Sequence, residues 1–229
     1  MTTPLRGISS MATRLVLAEL TAAWRQQTGR DADIESVAGV DAASRVQAGE
    51  AFDTVFLAAD AIDKLIATGQ VQAGSRVDLV RSAVAVAVRE GAPRPDLSHE
   101  AAVKRAVQAA RSISYSTGPS GVYLTQLFER WGITDEIRPR LVQAPPGVPV
   151  GSLVAGGEVE LGFQQLSELM HLDGITVLGT LPADIAFITT FSGAVCATTA
   201  QAGAARAWLA FLAAPDAAET KRRHGMDAA

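Results

Sequence analysis

The stretches VDLVRSAVAVAV at residues 77–88 and AFITTFSGAVCA at residues 186–197 decide the fold of this chain. Both are rich in β-branched and small apolar residues, and each is about twice the five or six residues of an ordinary strand. Arg81-Ser82 breaks the first near its middle. A strand of that length outruns a single small sheet, so each run is expected to pass from one lobe into another. Between them they bracket an inserted second lobe of residues 83–190. The first lobe is then discontinuous, made of residues 1–82 and 191–229.

Outward from these runs, short β-rich segments alternate with helical patterns. Residues 5–8 read as a strand, and Ser9-Ser10 stands where an N-cap belongs. Leu15, Leu17, Leu20, Ala23 and Trp24 then follow at helical spacing up to a stop at Gly29. Strands at 34–37 and 54–57 alternate with short helices at 41–48 and 60–67, stopped by Gly49 and Gly69. In the second lobe a helix over 99–110 leads to a strand at 112–116, and a turn at 117–121 opens a helix over 122–131. Strands at 140–143, 160–163 and 175–178 follow, with a short helix ending at Gly156-Gly157 and another beginning at Gln165. Two helices close the chain, one over 202–213 and one begun by Pro215. The alternation is that of α/β sheets covered by helices, so the fold class is α/β, with two long strands crossing between two lobes.

Composition narrows the function. The 229 residues are 48% hydrophobic with a formal net charge of -4, enough for one large domain or two small ones. No basic run exceeds Lys221-Arg222-Arg223, so nucleic acid is not an expected partner. His99, His171 and His224 are too scattered for a metal site. No G-x-S-x-G, P-loop or G-x-G-x-x-G fingerprint occurs, so neither a metal nor a cofactor is expected. The lone Cys196, between Val195 and Ala197, reads as a small buried hydrophobe. Residues 1–20 carry Arg6, Arg14 and Glu19 and lack the apolar stretch of an export signal, and the apolar run at 83–88 is far too short to span a bilayer. A cytoplasmic protein is the expectation, or a periplasmic one if a leader has been trimmed away.

Three strand-to-helix junctions carry small polar residues where open α/β sheets bind ligands, beyond the carboxyl ends of their strands. These are Ser9-Ser10, the loop Ser116-Thr117-Gly118-Pro119-Ser120-Gly121, and Gln164-Gln165. Hydroxyls, amides and backbone N–H groups together suit a small oxyanion or carboxylate. Serine before a helix also serves as a plain cap.

Five segments carry a resemblance: VQAGEAFDTVFLAADAIDKLIATG at 46–69, VRSAVAVAVREG at 80–91, SISYSTGPSGVYLTQLFERWGI at 112–133, LVAGGEVELGFQQLSEL at 153–169 and ARAWLAFLAAPDAAETKRRHGM at 205–226. The chain resembles the molybdate-binding branch of the type 2 periplasmic solute-binding proteins, which includes aconitate isomerase-like members. The resemblance implies an anion held between the lobes and a hinge closure on binding. It further implies a ligand lined by Ser9, Ser10, Gly39, Val40 and Asp60 or its neighbours from the first lobe. Ser116, Thr117, Ser120, Gly121, Tyr123, Gln164 and Gln165 come from the second. Molybdate binders of this kind use neutral donors and are exported; this chain places Arg81 in the hinge strand.

Arg81 is suited to clamp a planar carboxylate bidentately, or to form a surface salt bridge with Asp78. The clamp points to an isomerase that shifts a proton on an unsaturated polycarboxylate such as aconitate. Carboxylates would be held by Arg81 and the N–H groups of the loop at 116–121, and one base would remove and return the proton. Tyr123 and Asp60 stand ahead of His171 as that base. Alternatives are the substrate-binding component of a transporter for molybdate or a similar oxyanion, partnered by a membrane permease, and a ligand sensor.

Overall fold

The chain, described for residues 3–229 by a computed structural model, divides into two units. One runs to Ser82 and resumes as Thr190–Ala229; the other is Ala83–Thr189. The division falls beside the Arg81-Ser82 interruption.

In the first unit β1 (Leu5–Ser10), β2 (Ala32–Val37) and β3 (Thr54–Ala58) are parallel, with β1 in the middle, joined through α1 (Arg14–Thr28) and α2 (Gly39–Gln47). Gly7 makes the central place of β1 possible. A Cβ there would stand 2.5 Å from Ile34 Cδ1 and 2.7 Å from Thr54 Oγ1. The period of two in β3 divides its side chains between two apolar layers. Phe56 joins Val16, Leu17, Leu20 and Trp24 of α1 and Trp208, Leu209 and Leu212 of the late helix Ala202–Ala213. Val55 and Leu57 join Ala42 and Val46 of α2 and Ile62 and Leu65 of α3 (Ala59–Ala67). Trp24 and Trp208 pack at 5.5 Å between ring centroids, a core role for both.

β4 (Val77–Arg89) starts in this unit and continues into the second. There, α4 (Glu100–Ala109) leads to β5 (Ile113–Tyr115), α5 (Pro119–Arg130) and α6 (Thr134–Ile137). Next come β6 (Leu141–Gln143), α7 (Val150–Ala155), β7 (Leu161–Gln165), α8 (Leu166–Leu169) and β8 (Ile175–Thr180). β5 lies between parallel neighbours β6 and β7, and β7 runs antiparallel to β4 with Ala85 opposite Gln164. The V-A-V-A-V alternation of β4 sorts by face. Val84, Val86 and Val88 pack with Val103, Val107, Leu124 and Phe128, while the smaller Ala85 and Ala87 face Leu169 and the partly buried Ile175 and Val177. β9 (Ile188–Val195) carries the chain back and pairs antiparallel with β3. α9 (Ala202–Ala213), the turn Pro215–Ala217 and α10 (Ala218–Arg223) follow.

Three details depart from the sequence expectation. β1 continues through Ser9 and Ser10, so both serines belong to the strand, and Ser10 makes no side-chain cap bond. α5 begins at Pro119 rather than 122, because Pro119 occupies a first-turn position that needs no N–H. A two-residue strand, β10 (Asp227–Ala228), pairs with Arg81 and Val80 of β4; it is too short to show a period, and its partner lies far away in sequence.

Candidate functional site

Both units repeat one topological feature. The chain leaves β1 for β2 on one side through α1, then crosses to β3 on the other side through α2. In the second unit β5 stands in the same relation to β6 and β7. Where connections from neighbouring strands turn in opposite directions, the loops part at the carboxyl ends and helix starts present free N–H groups. Ser9-Ser10 end β1 and Ser116 follows β5, so two of the three polar junctions stand at these two switch points.

In the first unit Ser9 is fully buried, with its Oγ 2.8 Å from Oγ of Ser36, its register partner on β2. Ser10 Oγ is buried with no hydrogen-bond partner among the described residues. Gly39 lies against it, since a Cβ there would stand 3.6 Å from Ser10 Cβ. An unpaired buried hydroxyl costs about 1–3 kcal/mol, and a ligand oxygen can satisfy it. The turn Met11–Thr13, α2 and α3 all start without a side-chain cap, which leaves first-turn N–H groups as donors. Val40 is exposed on α2.

In the second unit Ser116 Oγ lies 3.1 Å from Ser120 Oγ and accepts from the Gly118 N–H at 3.3 Å, which ties the loop to the first turn of α5. A Cβ at Gly121 would stand 1.8 Å from the Ser116 carbonyl oxygen, so the loop closes only over glycine. Thr117 is half-buried in this loop, and Gly118, the residue before α5, gives the helix no side-chain cap.

The two glutamines at the end of β7 differ in what they do. Gln164 Oε1 accepts from the Val150 N–H at 2.8 Å, and its Nε2 donates to Glu168 Oε1 at 2.8 Å, so both ends of this amide brace α7 and α8. Gln165 Nε2 donates to Thr189 Oγ1 at 2.7 Å, while its Oε1 is buried without a partner among the described residues. Gln165 therefore keeps one end of its amide for a ligand or water.

Both bases expected from the sequence, and the clamp, are engaged elsewhere. Tyr123 donates its hydroxyl to the Ile185 carbonyl at 2.9 Å and stacks on Phe187 at 4.4 Å, and burial holds its pKa above the usual phenol value. Asp60 is exposed and paired with Lys64 at 3.7 Å, the ordinary state of a carboxylate on a solvated helix face. Arg81 donates to the Ala228 carbonyl from Nη2 at 3.0 Å and Nε at 3.3 Å, so two of its N–H groups hold β10 and not a carboxylate. Asp78 accepts from Arg76 and Ser192, not from Arg81. Burial, then Asp53, pushes the Cys196 thiol up to about 12, the state of an inert core thiol.

Glu168 is the residue that the sequence reading missed. It stands four residues after Gln164 on α8, a carboxyl between Leu166 and Leu169. The residue keeps some exposure, but its carboxyl is desolvated: burial pushes its pKa up to about 7, against the lowering effect of the Gln164 hydrogen bond. A polar side chain in the apolar spacing just after two amides is the signal that could have found it. Among the described residues no group of three or more His, Cys, Asp or Glu is placed to hold a metal ion, and no helix is long and apolar enough to cross a membrane.

The donor set of each unit is thus uncharged, made of hydroxyls and helix-start N–H groups, while the free amide oxygen of Gln165 is an acceptor. A family model described as bacterial extracellular solute-binding protein matches residues 5–227. The chain belongs to this family. Within reach of its members, an aconitate isomerase of a Pseudomonas species is 38% identical over 98% of this chain and 87% of its own length. The molybdate-binding protein ModA of Azotobacter vinelandii is 29% identical over 80% of this chain and 73% of its own length. The solved structure of the periplasmic molybdate-binding protein of that organism superposes with a TM-score of 0.80 at 22% identity, covering 97% of this chain and 98% of its own. The sulfate-binding protein SubI from Mycobacterium tuberculosis H37Rv superposes with a TM-score of 0.79 at 16% identity, covering 98% and 86%. The solute-binding fold, as two α/β units joined through long strands, is therefore that of this chain.

Proposed function

We propose that this solute-binding protein is an isomerase that moves a proton on an unsaturated polycarboxylate, aconitate or a close analogue. The observation that carries the proposal is the near full-length similarity to an aconitate isomerase. The uncharged donors at the ends of β1 and β5 are chemically suited to carboxylate oxygens, because hydroxyl and main-chain N–H groups donate without a counter-charge, and the free Gln165 oxygen at the end of β7 can accept from a protonated carboxyl. Ser9, Ser10, Gly39 and Val40 in one unit and Ser116, Thr117, Ser120, Gly121 and Gln165 in the other are the proposed contacts, with Gln164 as their brace. Closure of one unit upon the other on binding, and a cytoplasmic location, belong to the same reading. An enzyme that releases its product to solution needs no permease as partner.

The test is to incubate purified protein with cis-aconitate and follow trans-aconitate by proton NMR. Interconversion well above the uncatalysed rate supports the isomerase. A second reading, binding of an inorganic oxyanion for transport, is favoured by the likeness to molybdate- and sulfate-binding proteins. It predicts instead a rise in melting temperature with molybdate or sulfate and none with aconitate, since a ligand stabilises the state that it binds.

A further inference from the structure

From the placement of Glu168 beside the amide pair of β7, we infer that Glu168 is the catalytic group that takes and returns the proton. This rests on the isomerase reading. The reaction needs one group that is a base in one half and an acid in the other, so it must hold a proton loosely near neutral pH. Tyr123 donates its hydroxyl to a carbonyl within its own unit, and Asp60 is exposed and paired with Lys64.

Glu168 has the required surroundings. α8 follows β7 directly, so its carboxyl belongs to the strand end that carries Gln164 and Gln165. Its Oε1 is held by Gln164 Nε2 at 2.8 Å, and that amide is fixed in turn by the Val150 N–H. Ala85 and Ala87 of β4, Ile175 and Val177 of β8 and Gly151 of α7 pack on Leu169 of the same short helix, and Gln164 of β7 bonds the carboxyl itself. None of these is charged, and burial together with the Gln164 bond accounts for the state of the carboxyl. A buried carboxyl held by one neutral donor is poised between its two protonation states.

The chemistry balances without a further reagent. The Glu168 carboxylate takes a proton from the CH2 carbon of the substrate, and the C–H electron pair enters the conjugated carboxylates as a dienolate. The same carboxyl then returns its proton to the far carbon of the three-carbon unit. The double bond moves one place, the geometry about it is reset, and nothing is oxidised or reduced.

The experiment compares wild type with Glu168→Gln, whose amide oxygen can still accept from Gln164. In the variant kcat is expected to fall at least 100-fold while aconitate still raises the melting temperature as in wild type. The kcat of wild type should follow an ionisation near pH 7. An active wild type beside a variant within threefold of it overturns the role of Glu168 and leaves the isomerase intact. A wild type that binds aconitate but never converts it overturns the isomerase reading, and this inference with it. If the variant does not fold, the pH profile of wild type decides: a kcat that is flat from pH 6 to 8 overturns the assignment.

Discussion

Lys221 offers a sharp test of how this fold is held together. It is only 2% exposed and lines one cavity with Val16, Leu17, Leu20, Phe56, Phe191 and Leu212. Burial alone holds its pKa below the ordinary lysine value. Burying a polar group without a hydrogen bond costs roughly 1–3 kcal/mol by mutational measurement, whereas the aliphatic stem packs well and has a close mimic in methionine. Lys221→Met should therefore stabilise the protein by roughly 1–3 kcal/mol at pH 7. For a chain of this size that raises the melting temperature by roughly 2–4 °C per kcal/mol. Urea titration should show a higher midpoint at unchanged slope. The sign with pH follows from a lysine pKa that is lowered on folding. The penalty is complete below the folded-state pKa and disappears as pH rises towards the unfolded value of 10.5. The advantage of the variant should thus shrink in alkali. A variant that loses more than about 1 kcal/mol at pH 7 would refute the reasoning, because it would mean that the amine has a favourable buried partner such as an ordered water.

Three further outcomes are expected. Arg81→Ala should leave the aconitate-induced rise in melting temperature unchanged, since its guanidinium holds the Ala228 carbonyl; a loss of that rise would restore the carboxylate clamp. Gly121→Ala should abolish ligand-induced stabilisation and lower the melting temperature, because the methyl group would overlap the Ser116 carbonyl at 1.8 Å; crystallography or a melting curve matching wild type would count against that crowding. Glu168 has a pKa raised from 4.5 to about 7 on folding, so its contribution to stability is complete below pH 4.5, declines between 4.5 and 7 and is constant above. Glu168→Gln should flatten that part of the stability profile, and an unchanged profile would place the buried proton elsewhere.

The two long runs, at 77–88 and 186–197, made the two-unit organisation legible, because strand length and an interrupting Arg81-Ser82 are local properties of the chain. Period and stop signals likewise located α1 and its end at Gly29, whose φ is 67°, and the V-A-V-A-V alternation of β4. The polar junctions were legible for the same reason, since β-to-α turns can be read from short windows. What each side chain does there was not. Arg81 is held by Ala228, 147 positions away. Tyr123 is tied to Ile185 and stacked on Phe187. The contrast between Gln164 and Gln165 depends on Val150 and Thr189. Glu168 reads in sequence as one more helix carboxylate, and only burial in the folded chain, beside Gln164, desolvates it. Periodicity is written in neighbouring residues, so the sequence by itself determined the elements, their order and the strand ends where donors gather. Hydrogen-bond partners and dielectric surroundings come from residues distant in the chain, so only the tertiary structure decided which donors remain free and which acid holds its proton near neutrality.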